Sequence, residues 1–202
     1  MKNININNDF REIGRKILHV MIGISALLMI VYSIITPLII FILLVIFSLF
    51  SLLSLRYKIP VANFFLSNFD VRNGNRLPGR GFLFSILGVL LSLQLFDCDI
   101  ALASIIILTF ADPISYLVGK YLGKTRHFLD NRKNIEGNLA GFIISSALAL
   151  FFVAPVLAIA GALAAMLFEA LVIEIQKIEI DDNLMIPLAA GTAMFLIRTF
   201  LI

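Results

Sequence analysis

The chain has 202 residues, of which 60% are hydrophobic and only 14% charged, with a net charge of +3. Its mean hydropathy is strongly positive, a balance that no water-soluble domain of this size tolerates on its surface. Lipid is therefore the expected solvent, and the small, scattered positive charge argues against a nucleic-acid partner.

A spanning helix needs roughly 20 mostly apolar residues, because hydrocarbon offers the backbone no hydrogen-bond partner. The alternating strands of roughly ten residues that build an outer-membrane barrel are absent. The segment Met1 to Arg11 is polar and Asn-rich, and no small-residue cleavage site follows the first apolar run, so that run is expected to stay in the protein. Apolar runs between charged or Pro/Gly-marked breaks then predict seven spans: Ile17–Ser33, Ile35–Leu55, Gly81–Phe96, Ile100–Val118, Leu139–Ala154, Val156–Ile173 and Leu184–Ile202. The stretch from Leu139 to Ile173 is too long for one span. Pro155 in its middle supplies a break, so it reads as a helical hairpin. The predicted fold is an all-α, polytopic transmembrane helical bundle forming one integral membrane domain over residues 1–202. No soluble domain or internal repeat is visible.

Short cytoplasmic loops keep Lys and Arg while translocated loops shed them. Lys2, Arg11, Arg15 and Lys16 precede the first span; Arg56, Lys58, Arg72, Arg76 and Arg80 lie between the second and third; Lys120, Lys124, Arg126, Arg132 and Lys133 follow the fourth; Lys177 follows the sixth. All fall on one side. The other side has turns at Thr36-Pro37, Asp97 to Asp99 and Ala154-Pro155, and only Arg198 dissents. The predicted orientation is N-terminus inside and C-terminus outside, in a cell membrane, with any chemistry on cytoplasmic loops and helix ends. Cys98 sits between Asp97 and Asp99 with no second Cys or nearby His to complete a zinc set, which makes it a structural residue.

Asp112 lies inside the fourth span, where a lone carboxylate costs about 2.5–3.5 kcal/mol. It reads either as a kink stabilised by a Lys or Arg partner, or as a metal ligand or base. Pro113 behind it disfavours the α region, so the helix is open to bending or breaking here; if it continues, Tyr116, Gly119 and Lys120 share roughly one face with Asp112. The following loop, Gly119-Lys120-Tyr121-Leu122-Gly123-Lys124, leads through Arg126, His127, Arg132 and Lys133 to Glu136-Gly137. Glycines admit phosphate oxygens close to backbone amides and lysines supply point charges, although the Walker pattern is absent and a basic loop is also an ordinary topology signal. Glu169 in the sixth span and Asp181-Asp182-Asn183 before the seventh offer the oxygen ligands that suit Mg²⁺, and the latter group also suits a helix N-cap. Glu12, Arg15, Lys16 and His19, at spacings of three and four, line the entrance of the first span with Gly23 one turn deeper. Their basic members also suit snorkelling to lipid phosphates.

Arg15-Lys16-x-x-His19, Asp112-Pro-x-x-Tyr116-x-x-Gly119-Lys120-x-x-Gly123-Lys124, Lys133-x-x-Glu136-Gly137, Glu169 and Asp181-Asp182-Asn183-Leu-x-x-Pro187 together resemble the polyprenol kinase family, over the range Glu12 to Pro187. That family includes dolichol kinase, phytol kinase and CTP-dependent diacylglycerol kinases, and is distantly similar to phosphatidate cytidylyltransferases. Two departures stand out: Asn134 where the family commonly has Ser, and Ala111 where it often has Gly.

The resemblance implies transfer of the γ-phosphate of CTP, with Mg²⁺ or another divalent cation, to the hydroxyl of a membrane isoprenoid alcohol. It implies catalytic roles for Asp112, Lys120, Lys133 and Glu136, and nucleotide contacts by Arg15, Lys16, Gly119, Gly123, Lys124, Gly137 and Asn183. Metal would fall to Asp112, Glu169, Asp181 and Asp182, and lipid to His19 and Tyr116. The competing readings are a CDP-lipid synthase, whose basic signature with closing His-Gly-Gly and Asp-Arg-x-Asp is not found here, and a small transporter, against which the outer halves of the spans are nearly free of ionisable groups. The acceptor lipid and the oligomeric state are open, and the Ala-rich face from Ala158 to Ala165 around Gly161 suits close helix packing within or between chains.

Overall fold

The computed structural model describes residues 6–56, 79–127, 133–171, 174–175, 178–179 and 181–201. The topology signals at Lys2, Lys58, Arg72, Arg76, Arg132 and Lys177 lie outside the described residues. Within them the chain forms α1 (Ile6–Val31), α2 (Pro37–Arg56), α3 (Arg80–Leu95), α4 (Cys98–Tyr121), α5 (Ile135–Ala149), α6 (Pro155–Ala170), strands β1 (Glu174–Ile175) and β2 (Ile178–Glu179), and α7 (Asp182–Phe200). Each helix overlaps one of the seven apolar runs. Four stretches are long and apolar enough to cross a membrane: Phe10–Val31, Pro37–Ser54, Cys98–Tyr121 and Asp182–Phe200. Helices α3, α5 and α6 are apolar but have 16, 15 and 16 residues, short of the roughly 20 that a full crossing takes.

Two local features differ from the sequence expectation, and a third decides between alternatives it left open. Helix α1 starts at Ile6 rather than near Ile17, which strings Glu12, Arg15, Lys16 and His19 along one helix. Helix α6 ends at Ala170, short of Ile173, and the chain then forms a two-residue antiparallel pair with Glu174 opposite Glu179 and Ile175 opposite Ile178, a small addition to an otherwise helical fold. The sequence carries the cause: Ile173-Glu174-Ile175 and Ile178-Glu179-Ile180 each alternate with period two, separated by two residues, which is a hairpin pattern. Finally, α4 runs unbroken through Pro113. Neighbouring helices stabilise a proline inside a buried helix when they cover the backbone it disturbs, and here Pro113 is itself fully buried.

Helix α4 is the axis of the bundle. It packs against α1, α3, α5, α6 and α7, while α2 packs on α3, and every residue from Ile100 to Thr109 is buried. Between helices in lipid the drive for association is close packing, so small residues set the contacts. A side chain at Gly23 would collide with Thr109 of α4, one at Gly141 with the Ala111 carbonyl, and one at Gly161 with Met194 of α7. The smooth face of α6 is therefore used inside the molecule, against α7.

Arg198, the exception to the charge pattern, is resolved at the end of the bundle formed by the start of α4. Its guanidinium donates to both Asp99 carboxylate oxygens, at 2.9 Å for Nη1 to Oδ1, and lies 3.5 Å from Asp97 Oδ2. The cation is matched by two neighbouring carboxylates and ties the end of α7 to the α3–α4 turn.

Candidate functional site

The opposite end of the bundle collects the polar side chains. Lys16 of α1 donates to Asp112 Oδ2 of α4, and their side chains are only 11% and 13% exposed. One turn deeper, His19 Nε2 lies 3.4 Å from the Leu108 carbonyl. One turn toward the surface, the Tyr116 hydroxyl donates to Glu12 Oε2 and accepts from Lys120 Nζ at 3.1 Å, and Lys120 lies 3.6 Å from Glu12. The Tyr116 ring carries both ammonium groups, Lys16 at 5.2 Å and Lys120 at 5.4 Å from its centroid, a cation–π arrangement that holds the two lysines in register. The helical spacing of Asp112, Tyr116 and Lys120 thus meets that of Glu12, Lys16 and His19 as two facing rows, joining α1 to α4.

The second half of the site is built where α5 crosses α4. Gly137 faces Ser115 and Gly119 so closely that a Cβ at 137 would lie 2.8 Å from the Gly119 Cα and 2.9 Å from its nitrogen. Asn134 donates to the Gly119 carbonyl at 2.6 Å, and a Cβ at Gly123 would meet the Asn134 amide at 2.5 Å. The glycines of the loop therefore serve helix crossing and the seating of Asn134, a packing role beside the phosphate role their sequence suggested.

This crossing sets Lys133 against Glu169, the buried carboxylate of α6, which is 4% exposed. Lys133 Nζ donates to the Glu169 backbone carbonyl and to Oε1 at 2.7 Å. Asn138 Nδ2 donates to Oε2 at 3.2 Å and to the Met166 carbonyl at 2.9 Å, and Ser115 lies 3.5 Å from Oε1. Burying this carboxylate is tolerable because both oxygens are satisfied; removing one partner of such a pair typically costs about 3–5 kcal/mol. Ser115 and Asn138 escaped the sequence reading, and Asn134 entered it only as a departure from the family's Ser. The available signal was the Asn134/Asn138 pair at i, i+4, on the face that also carries Gly137 and Gly141.

Other candidates separate from this cluster. Glu136 turns to the loop, accepting the Thr125 amide at 2.9 and 3.2 Å. Its own backbone N–H, then the amides of Thr125 and Lys124, hold its carboxyl below the ordinary value. With the His127 amide bonded to the Lys133 carbonyl and an Arg126–Asn134 bridge, Glu136 fastens the loop against the start of α5. Lys124 is exposed, and Arg15 is half-buried beside Lys16 in sequence.

Asp181 is the N-cap of α7, accepting the Asn183 backbone amide at 3.2 Å and its Nδ2 at 2.8 Å, with Arg80 Nε at 3.8 Å. Asn183 is thus committed to the cap. Asp182, half-buried at the first position of α7, accepts the Asn183 backbone amide at 3.1 Å. Among the described residues no three His, Cys, Asp or Glu side chains converge as a ready-made metal cage. The oxygen donors buried here are Asp112 and Glu169, each already held by a lysine.

No family model and no solved structure matches the chain. It is similar to the uncharacterized protein MJ1137 of Methanocaldococcus jannaschii, with 32% identity over 189 residues, covering 88% of this chain and 89% of that protein.

Proposed function

We propose that this chain, which belongs to the same family as the Methanocaldococcus jannaschii protein MJ1137, is a CTP-dependent lipid kinase that phosphorylates the hydroxyl of a membrane isoprenoid alcohol. The observation that carries the reading is the pair of buried carboxylates, Asp112 and Glu169, each held by a lysine, at one end of a lipid-suited bundle. Buried ionisable groups in apolar helices are expensive and mark function by default. The resemblance to polyprenol kinases supplies the chemistry.

In this reading all seven helices lie in the membrane, with the N-terminus and the charged end of the bundle in the cytoplasm and the C-terminus outside. The Lys and Arg distribution supports that orientation, with Arg198, ion-paired to Asp97 and Asp99, as its exception.

Phosphoryl transfer asks the protein mainly to position the reactants and to place cations on the phosphate oxygens. The alcohol oxygen forms a bond to the γ-phosphorus, the bond from that phosphorus to the β–γ bridging oxygen breaks, CDP leaves, and the hydroxyl proton passes to a carboxylate, a role this reading assigns to Asp112. In this reading Lys16, Lys120 and Lys133 would neutralise phosphate oxygens, and Asp112, Glu169 and Asp182 would supply oxygen ligands to a divalent cation. When bound, that cation would screen charge on the phosphates. His19 and Tyr116 lie on the α1–α4 seam along which a lipid hydroxyl would approach.

The test incubates detergent-purified protein with γ-labelled CTP, Mg²⁺ and a panel of polyprenols, phytol, geranylgeraniol and diacylglycerol. Label in one alcohol, lost in Asp112→Asn, is the expected result. Release of pyrophosphate with α-label entering lipid would move the assignment to CDP-lipid synthesis, and absence of transfer in a folded protein would refute the kinase.

A further inference from the structure

At the end of the bundle away from the charged cluster, the α1–α2 and α3–α4 turns meet around a cavity of about 280 Å³. Ile30 of α1 and Leu93 and Phe96 beside the α3–α4 turn supply apolar wall, and Ser33, Thr36 and Cys98 supply its polar points. Ser33 ends α1 at φ 56°, the left-handed conformation that usually falls to glycine. Its N–H meets the Ile30 carbonyl at 2.9 Å and that of Ile34 meets the Met29 carbonyl at 2.8 Å. The tight turn so formed is one wall of the cavity.

The cavity is in step with the Lys16–Asp112 pair. Helices α1 and α4 run antiparallel, with Lys16 against Asp112, His19 against the Leu108 carbonyl and, at the other end, Ile30 and Cys98 on the same cavity. Fourteen residues separate Lys16 from Ile30 and Asp112 from Cys98, which is about 21 Å at the helical rise of about 1.5 Å per residue. Among the described residues α1 makes its extended contact with α4, and α2 with α3, so α1 and α2 stand apart although a short turn joins them. A single hydrocarbon chain therefore has a course between α1 and α2, from the charged pair to the cavity.

We propose that this cavity receives the far end of the acceptor's tail and so measures its length, selecting alcohols of about four prenyl units over longer polyprenols. With C–C bonds of about 1.5 Å an extended chain advances about 1.25 Å per carbon, so about 21 Å takes about 17 main-chain carbons, the length of geranylgeraniol or phytol. A shorter alcohol leaves the cavity unfilled and forfeits its packing. A longer one meets the turn at Ser33 and must double back or leave the seam. The selection is one of fit rather than of transfer from water, because the competing solvent is lipid, as apolar as the cavity wall. The inference rests on the kinase reading for the place of the hydroxyl at Asp112, and adds the length of the tail.

The experiment takes the full-length protein in detergent with alcohols of geraniol, geranylgeraniol and dolichol length, each carrying a photoreactive diazirine at the tail end. Cross-links are located by peptide mass spectrometry. The geranylgeraniol-length probe is expected to label the segments Ile30–Pro37 and Leu93–Cys98. Unlabelled geranylgeraniol should compete about tenfold or more better than geraniol or dolichol, the lower end of what one methylene decides in an apolar pocket. In Leu93→Phe, which fills the cavity, labelling there should fall and competition should shift toward shorter alcohols. Reaction of Cys98 with a benzyl maleimide in the already folded protein gives the same readings if Leu93→Phe fails to fold. Cross-links spread over the lipid-facing sides of α2 and α5, no cross-links at all, or equal competition by dolichol overturns the inference. Because cross-linking needs no turnover, cavity labelling without phosphate transfer would sink the kinase reading alone, and phosphorylation of dolichol in preference to geranylgeraniol would sink this inference alone.

Discussion

Gly137→Ala is the sharpest probe of how the site is assembled. The new methyl would lie 2.8 Å from the Gly119 Cα and 2.9 Å from its nitrogen, and closer still to the Ser115 carbonyl oxygen. All three neighbours are backbone atoms of α4, which cannot turn aside as a side chain would. Helix α5 must therefore back away from α4. Overpacking of this kind costs about 1–3 kcal/mol, and a chain of this size loses about 2–4 °C of melting midpoint per kcal/mol, which gives a fall of about 2–12 °C.

The displaced helix carries Asn134 and Asn138 and follows Lys133, so the bonds to Gly119 and Glu169 loosen with it, and the proposed phosphoryl transfer should fall further than stability. The control is Gly14→Ala in α1, whose Cβ meets nothing within 4 Å; there the gain in helix propensity, about 0.5–1 kcal/mol, should raise the midpoint slightly. Thermal unfolding in detergent, followed by loss of monodisperse protein, reads both. A Gly137→Ala midpoint equal to that of wild type would refute the close α4–α5 crossing on which the Lys133–Glu169 pair depends.

Arg198→Ala breaks the ion pair at the other end of the bundle; the pair is partly exposed, so a loss of at most about 1 kcal/mol is expected, seen as a small fall in the melting midpoint with unchanged phosphoryl transfer. A large loss of transfer would mean that the two ends are coupled. Glu136 has a folded-state pKa below its ordinary 4.5, so its contribution to holding the loop is complete above that value and fades as the pH falls through the lower folded one. Proteolysis between Tyr121 and Asn134 should accordingly rise on acidification in wild type, while in Glu136→Ala it should be fast at neutral pH and change little. The proposed orientation predicts that a membrane-impermeant maleimide labels the exposed Cys98 in intact cells, whereas Lys124→Cys in a Cys98→Ser background reacts only after permeabilisation; the reverse pattern would invert the topology.

The sequence by itself determined the apolar character of this protein and the approximate position of its helices. Each of the seven apolar runs overlaps a helix, and four of those helices are long and apolar enough to cross a membrane. It also determined that Asp112 and Glu169 matter, since a carboxylate in an apolar helix is conspicuous without coordinates. The helical spacing of Asp112, Tyr116 and Lys120 was legible for the same reason, because it follows from the period of one helix.

What only the tertiary structure decided is who partners whom. Lys16 and Asp112 are separated by 96 positions in the chain and Lys133 and Glu169 by 36, and no local rule links residues on different helices. Basic residues looked interchangeable as topology signals, yet Lys16 and Lys133 neutralise buried acids while Lys124 stands exposed. Glu136 looked like a member of the cluster and proved to be a loop fastener, and Asp181 became the cap of α7. Periodicity says which face of a helix a residue occupies; which face it meets is fixed only when glycines such as Gly23, Gly137 and Gly161 decide how closely the helices approach.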